Sequence, residues 1–144
     1  MKNLLMLMIP LLILITSCED ANQPSVEDSI TLEPGHYKGT YTYTWQIGSV
    51  DEDSVTCDTE LTLFEGGYSI EEIQNNCPPH SAGPCEITPT TITFQDTVVH
   101  TAEFDNTLII HGTYVYTFED PALEMSQMDT SLNRKYVYRL TKTN

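Results

Sequence analysis

Between His36 and Ile47 the chain alternates with a period of two. Tyr37, Tyr41, Tyr43, Trp45 and Ile47 share one parity, and Thr40, Thr42 and Thr44 the other. Only an extended backbone sends successive side chains to opposite faces, so this segment reads as a strand with one buried aromatic face. Val55–Phe64 repeats the pattern, with Val55, Cys57, Thr59, Leu61 and Leu63 on one side. Glu65-Gly66-Gly67 reads as a hairpin turn, with Gly66-Gly67 as its two-residue loop, because glycine supplies the positive φ such turns need. That loop pairs Glu65 with Tyr68 and sets Leu63 opposite Ile70. Tyr68–Ile73, Cys85–Thr88, Thr90–Gln95, Val98–Phe104, Thr107–Phe118, Leu123–Gln127 and Lys135–Thr141 complete about nine short strands. Asn75–Pro84 is a loop by composition. The best helical segment, Pro121–Leu132, is short and breaks at Asp129-Thr130-Ser131. The expectation is an all-β domain: an antiparallel up-and-down β-barrel of about eight to nine strands, or alternatively a β-sandwich. An immunoglobulin-like sandwich lacks support, since no Cys…Trp…Cys order is present.

The N-terminus has a different character. Leu4–Ile15 is apolar but shorter than the roughly 20 residues of a membrane span, and Pro10 interrupts it. A charged start, a short apolar run and small residues at a junction describe a secretory signal peptide. Ile15-Thr16-Ser17-Cys18 resembles the bacterial lipoprotein signal, which implies cleavage before Cys18 and lipid on that residue. The predicted organisation is a signal peptide over 1–17, a lipidated Cys18 with a flexible acidic tether over 18–34, and the barrel over 35–144. The resemblance implies export and a lipid anchor in the bacterial outer membrane, on its periplasmic face or at the cell surface. The acidic residues after Cys18 resemble the surface-export signal of Bacteroidetes-type lipoproteins.

Cleavage removes Lys2, so five of the six basic residues remain against 21 acidic ones. Such a surface repels phosphate backbones and excludes nucleic acid as a partner. Asp51-Glu52-Asp53 and Glu119-Asp120 lack the Gly and closing Glu of a calcium loop. No metal or cofactor is expected. Of four cysteines, Cys57, Cys77 and Cys85 remain once Cys18 carries lipid, which allows one internal bridge. Cys77–Cys85 closes the Pro-Pro loop without a bulge and is the expected pair. Cys57–Cys77 is the rival, and needs one β-bulge near Glu71-Glu72.

No Gly-x-Ser-x-Gly and no local Ser or Cys with a His and an acid is visible, so no catalytic residue is assigned. His100 shares parity with Val98, Ala102 and Phe104 and is expected to point inward, while His111 and His80 are expected in solvent. The tyrosines on the first, a later and the last strand line one face. That face is either a filled aromatic core or an amphipathic lining for a small apolar molecule.

Four pieces in order resemble the lipocalin-like (calycin-type) barrels of small Bacteroidetes lipoproteins. They are Gly35-His36-Tyr37-Lys38-Gly39-Thr40-Tyr41, Thr90–Asp96, Ala102–Asp105 with Leu108–Tyr116, and Tyr136–Leu140. Gly39-Thr40-Tyr41 stands where lipocalins carry Gly-x-Trp. The resemblance implies Arg139 packed over Tyr41 or Trp45, and a small hydrophobic or amphipathic ligand in the barrel mouth. The candidate lining is Tyr41, Tyr43, Ile92, Phe94, His100, Phe104, Ile110, Tyr114 and Tyr138. The alternative is a cell-envelope interaction or structural module with a filled core.

Overall fold

The computed structural model describes residues 32–71, 73, 77–101 and 106–143. The signal-peptide segment, Cys18 and most of the tether lie outside these residues, as does Phe104.

Eight strands run in chain order: β1 (Gly35–Trp45), β2 (Asp53–Phe64), β3 (Gly67–Glu71), β4 (Ser81–Ile87), β5 (Thr91–Phe94), β6 (Gly112–Glu119), β7 (Ala122–Asp129) and β8 (Arg134–Thr143). Each pairs antiparallel with the next, and β8 returns to β1, which closes an up-and-down barrel. The odd residues of β1 and β2 and the even residues of β8 face inward. Tyr37, Tyr41, Cys57, Thr59, Leu61, Leu63, Tyr136, Tyr138 and Leu140 are all buried. The outer faces carry threonine ladders, such as Thr42–Thr56 at 2.9 Å and Thr93–Thr113 at 3.0 Å. Every strand and the buried core named here fall within residues 32–143.

At the seam, Gly39 pairs with Leu140. A Cβ on Gly39 would stand 2.0 Å from the Arg139 carbonyl oxygen, so only glycine lets the two backbones approach this closely.

The β2–β3 loop is Glu65-Gly66, not Gly66-Gly67. Phe64 pairs with Gly67, Leu63 with Tyr68 and Leu61 with Ile70. Gly66 takes the positive φ, 72°. The Phe64 ring lies over Gly67, where a Cβ would meet it at 2.2 Å. This aromatic-on-glycine contact fixes the register two residues from the expected one, and a shift of two keeps every side chain on its own face.

The disulfide is Cys57–Cys77, and Cys85 is a free thiol. The expected Cys77–Cys85 bridge is corrected for a physical reason. Strand β4 begins at Ser81, inside the segment read as loop. Four residues of strand carry Cys85 about 13 Å further on, to where its amide donates to the Gly66 carbonyl at 3.1 Å. Disulfides need Cα atoms within about 7 Å.

Two further expectations change. Residues 98–101 are not a strand, and Thr107–Phe118 is broken into a 3-10 turn (Asn106–Leu108) and β6. Gly112, at φ 78°, marks the break. Pro121–Leu132 contributes β7 and no helix.

The two ends of the barrel differ. At the end where β1 starts, the turns are short: 65–66, 88–90 and 120–121. Leu32 is buried there, and Tyr37 donates to the Glu33 carbonyl at 2.6 Å. The other end carries the long connections, 46–52, 72–80, 95–111 and 130–133.

Candidate functional site

The interior is crossed by an aromatic row. Tyr41 lies against Tyr138 (4.8 Å between ring centroids), Tyr138 against Tyr114 (5.9 Å), Tyr114 against Phe94 (5.6 Å) and Phe94 against Tyr68 (4.8 Å). Most contacts are T-shaped, the geometry favoured by ring quadrupoles. Ile92, Ile110, Leu61, Ile70, Leu123 and Met125 fill the space around the row and are fully buried. Tyr41, Ile92, Phe94, Ile110, Tyr114 and Tyr138 were candidate lining residues, and all six are packed core. Burial pushes the phenols of Tyr114 and Tyr138 well above the usual tyrosine range.

His100 lies on the 95–111 connection, where its ring serves an acid. Its Nε2 is 2.9 Å from Asp96 Oδ2. Asp96 Oδ1 accepts from Ser81 Oγ at 2.8 Å and from the amides of Ala82 and Val98 at 3.2 and 3.4 Å. Burial would raise the Asp96 pKa, but the bonds from Ser81, His100 and the two amides together hold it below its ordinary value. An ionised carboxylate only accepts, so His100 Nε2 carries the proton. Ser81 Oγ donates its hydrogen bond to Asp96, and the same oxygen is left to accept from the Tyr68 hydroxyl at 2.8 Å. Tyr68 also lies 3.3 Å from the Ile110 carbonyl. The order Tyr68–Ser81–Asp96–His100 puts the acid between the serine and the histidine. A nucleophilic serine needs the histidine in that place, so this chain of bonds pins the long 95–111 connection across the barrel end. Among the described residues no three His, Cys, Asp or Glu side chains converge as metal ligands do. His111 and His80 are exposed, and each Nδ1 lies near a backbone carbonyl, of Ile109 and Ile70 respectively.

Tyr43 is the candidate that reaches open space. It stacks on Tyr136 at 5.5 Å and on Trp45 at 5.2 Å, with interplanar angles of 23° and 28°. The three rings climb from the buried core to a half-exposed Trp45 at the long-loop end. Arg134, the register partner of Trp45, holds its guanidinium 5.6 Å from the centre of the Tyr43 ring. Arg134 also donates to the Thr107 hydroxyl, and burial raises the Tyr136 phenol pKa while the nearby Arg134 lowers it. Tyr43, Trp45, Gln46, Leu132 and Arg134 line an open cleft of about 340 Å³, within the range of small-molecule sites.

Two latched turns shape this cleft. Gln46 and Gly48 take positive φ (54° and 75°), the Gly48 amide donates to Glu52 Oε2 at 2.6 Å, and the Ser49 amide donates to the Gln46 carbonyl at 3.0 Å. Asp129 Oδ1 accepts from the Ser131 amide and hydroxyl and from the Leu132 amide, at 2.9, 2.6 and 3.1 Å. Local side-chain caps of this kind are what Asp does best in turns. Asn133, at φ 52°, donates through Nδ2 to the Ile47 carbonyl at 2.9 Å, tying one turn to the other. On the far side of the same end, Phe94, Asp96, Ile109 and His111 border a second open cleft.

Trp45, Gln46, Leu132 and Arg134 were absent from the candidate lining. The parity of Trp45 already placed it inward, but Leu132 and Arg134 depend on how the 130–133 turn folds. Arg139, expected over Tyr41 or Trp45, points outward and pairs with Glu124 at 3.1 Å; the arginine that packs over a first-strand aromatic is Arg134. No family model, curated protein or solved structure matches this chain.

Proposed function

We propose that this chain is an exported, lipid-anchored barrel of the lipocalin-like kind that binds a small amphipathic molecule at its long-loop mouth, not in its interior. The observation that carries this reading is the aromatic stack Tyr136–Tyr43–Trp45, which opens into a cleft beside Leu132 while the space beneath is packed with side chains. A flat apolar ring laid on Trp45 extends a stack already built, and the rims of Tyr, Gln and Arg supply polar handles. The reading assigns no catalytic residue. Cys18 and the acidic segment after it support the anchor and tether.

The test uses the chain from residue 18 onward with Cys18→Ser, since the closed barrel and its core lie within 32–143. Trp45 is the single tryptophan, so its emission reports on the mouth alone. Titration with the neutral ring probe N-phenyl-1-naphthylamine is expected to quench Trp45 saturably, by energy transfer, at one site. Trp45→Ala is expected to weaken probe binding about tenfold. Absence of saturable binding up to the solubility of the probe would overturn the reading. It would leave the filled-core interaction module, whose acidic exterior docks a basic partner.

A further inference from the structure

The mouth is apolar on its aromatic wall, but it also holds a cation, Arg134, that makes no direct ion pair among the described residues. Among the described residues, Lys38 pairs with Glu60, Arg139 with Glu124 and Lys142 with Glu33, at 2.7, 3.1 and 2.7 Å. Arg134 instead holds the hydroxyl of Thr107 and the face of Tyr43. The acid opposite it in the register, Asp129, bonds three donors of its own turn and feels the Arg134 charge without a direct ion pair. A guanidinium is permanently charged and offers five N–H donors in a planar fork. Its bond to Thr107 leaves part of that fork for a further acceptor.

We infer that the mouth selects ring-bearing anions: a flat apolar ring lies against Trp45 and Leu132 while its carboxylate, sulfonate or phosphate group takes the Arg134 guanidinium. This rests on the mouth-binding reading above and adds the charge of the ligand to it. The bulk charge of the chain makes the inference sharp. With a formal net charge of −15, the protein as a whole repels anions. Indiscriminate adsorption would therefore favour a neutral probe, and a preference for the anion has to arise locally.

The experiment compares two probes that differ by one sulfonate, 8-anilinonaphthalene-1-sulfonate and N-phenyl-1-naphthylamine, on the same protein with the Trp45 readout. The anion is expected to bind about tenfold more tightly, the equivalent of one charge-assisted hydrogen bond. In Arg134→Gln the ratio of the two affinities is expected to fall to about one or below. Arg134→Lys keeps the charge without the fork and is expected to retain part of the preference. Lys38→Gln removes an equal charge from the outer wall and is expected to leave the ratio unchanged. Equal or tighter binding of the neutral probe to the unmodified protein overturns the inference while mouth binding stands. Loss of saturable binding by both probes removes the mouth-binding reading itself. If Arg134→Gln does not fold, the ratio in the unmodified protein and in Arg134→Lys decides. A preference that persists in a folded Arg134→Gln also overturns the assignment.

Discussion

Tyr41 and Tyr138 are register partners on the first and last strands, and their rings meet 4.8 Å apart at the seam that closes the barrel. The Tyr138 hydroxyl is fully buried and has no hydrogen-bond partner among the described residues. The Tyr68 hydroxyl, equally buried, holds Ser81 and the Ile110 carbonyl. Tyr138→Phe is therefore expected to raise stability by up to about 1 kcal/mol, and Tyr68→Phe to lower it by about 1–2 kcal/mol. Urea denaturation of the two variants checks the opposite signs. A loss in Tyr138→Phe matching that in Tyr68→Phe would contradict the difference drawn between them.

Gly39 is placed by contact with the neighbouring backbone, and its own φ is ordinary. With the Arg139 carbonyl oxygen at 2.0 Å from an added Cβ, Gly39→Ala forces β8 outward along the seam. The expected loss is about 2–3 kcal/mol, typical of overpacking in a tight interior. Gly48→Ala, with nothing within 4 Å of its Cβ, strains only its positive φ and is expected to cost about 1 kcal/mol. Thermal unfolding of the pair measures the difference.

The Cys57–Cys77 bridge closes a loop of sequence separation 20. Cys57→Ala is expected to lower stability by about 3 kcal/mol through loop constraint. Cys85→Ser is expected to be nearly neutral. Burial raises the Cys85 thiol pKa, so this thiol is expected to react slowly with thiol reagents at neutral pH and quickly after unfolding. Peptide mapping that finds Cys85 bridged would refute both expectations.

Asp96 gives the barrel a dependence on acid. Its pKa sits below the ordinary value of 3.8 in the folded protein. A carboxyl depressed by folding contributes stability that is fully present above the unfolded value and is lost as pH falls through the folded one. Asp96→Asn is therefore expected to be less stable than the parent at pH 7. The gap is expected to narrow below about pH 4 as the parent loses its charge. Denaturation curves at the two pH values provide the measurement, and a gap that does not change with pH would contradict an ionised Asp96.

The barrel was legible because its first and last strands largely keep period two. Tyr37 to Trp45 and Tyr136 to Leu140 fall on the inner face that their parity predicts. Val98–Phe104 misled because the same alternation can be local. Asp96 accepts the Val98 amide and the His100 ring, a turn made by one side chain that periodicity does not register. The disulfide misled because it depends on where β4 starts, and Pro84 lies inside that strand instead of ending the loop. The lining misled for a related reason. Parity tells which residues point inward, but not that the Tyr41–Tyr138–Tyr114–Phe94–Tyr68 row meets across the centre and fills it, with open clefts at its margins beyond Tyr43 and beside Phe94. Arg134 sat unread beside a turn, since its role needs Thr107 and Tyr43 to arrive from two other places in the chain.

Because β8 bonds back to β1, the eight described strands leave no terminal strand with a free edge. Strands rich in Thr, Tyr and Val are the kind that recruit further strands when one flank is left exposed. Here every strand has a neighbour on each side over at least part of its length, which disfavours addition of a peptide or a neighbouring copy along a whole flank. Recognition is thereby steered toward side chains at the ends of the barrel and on its threonine-studded wall.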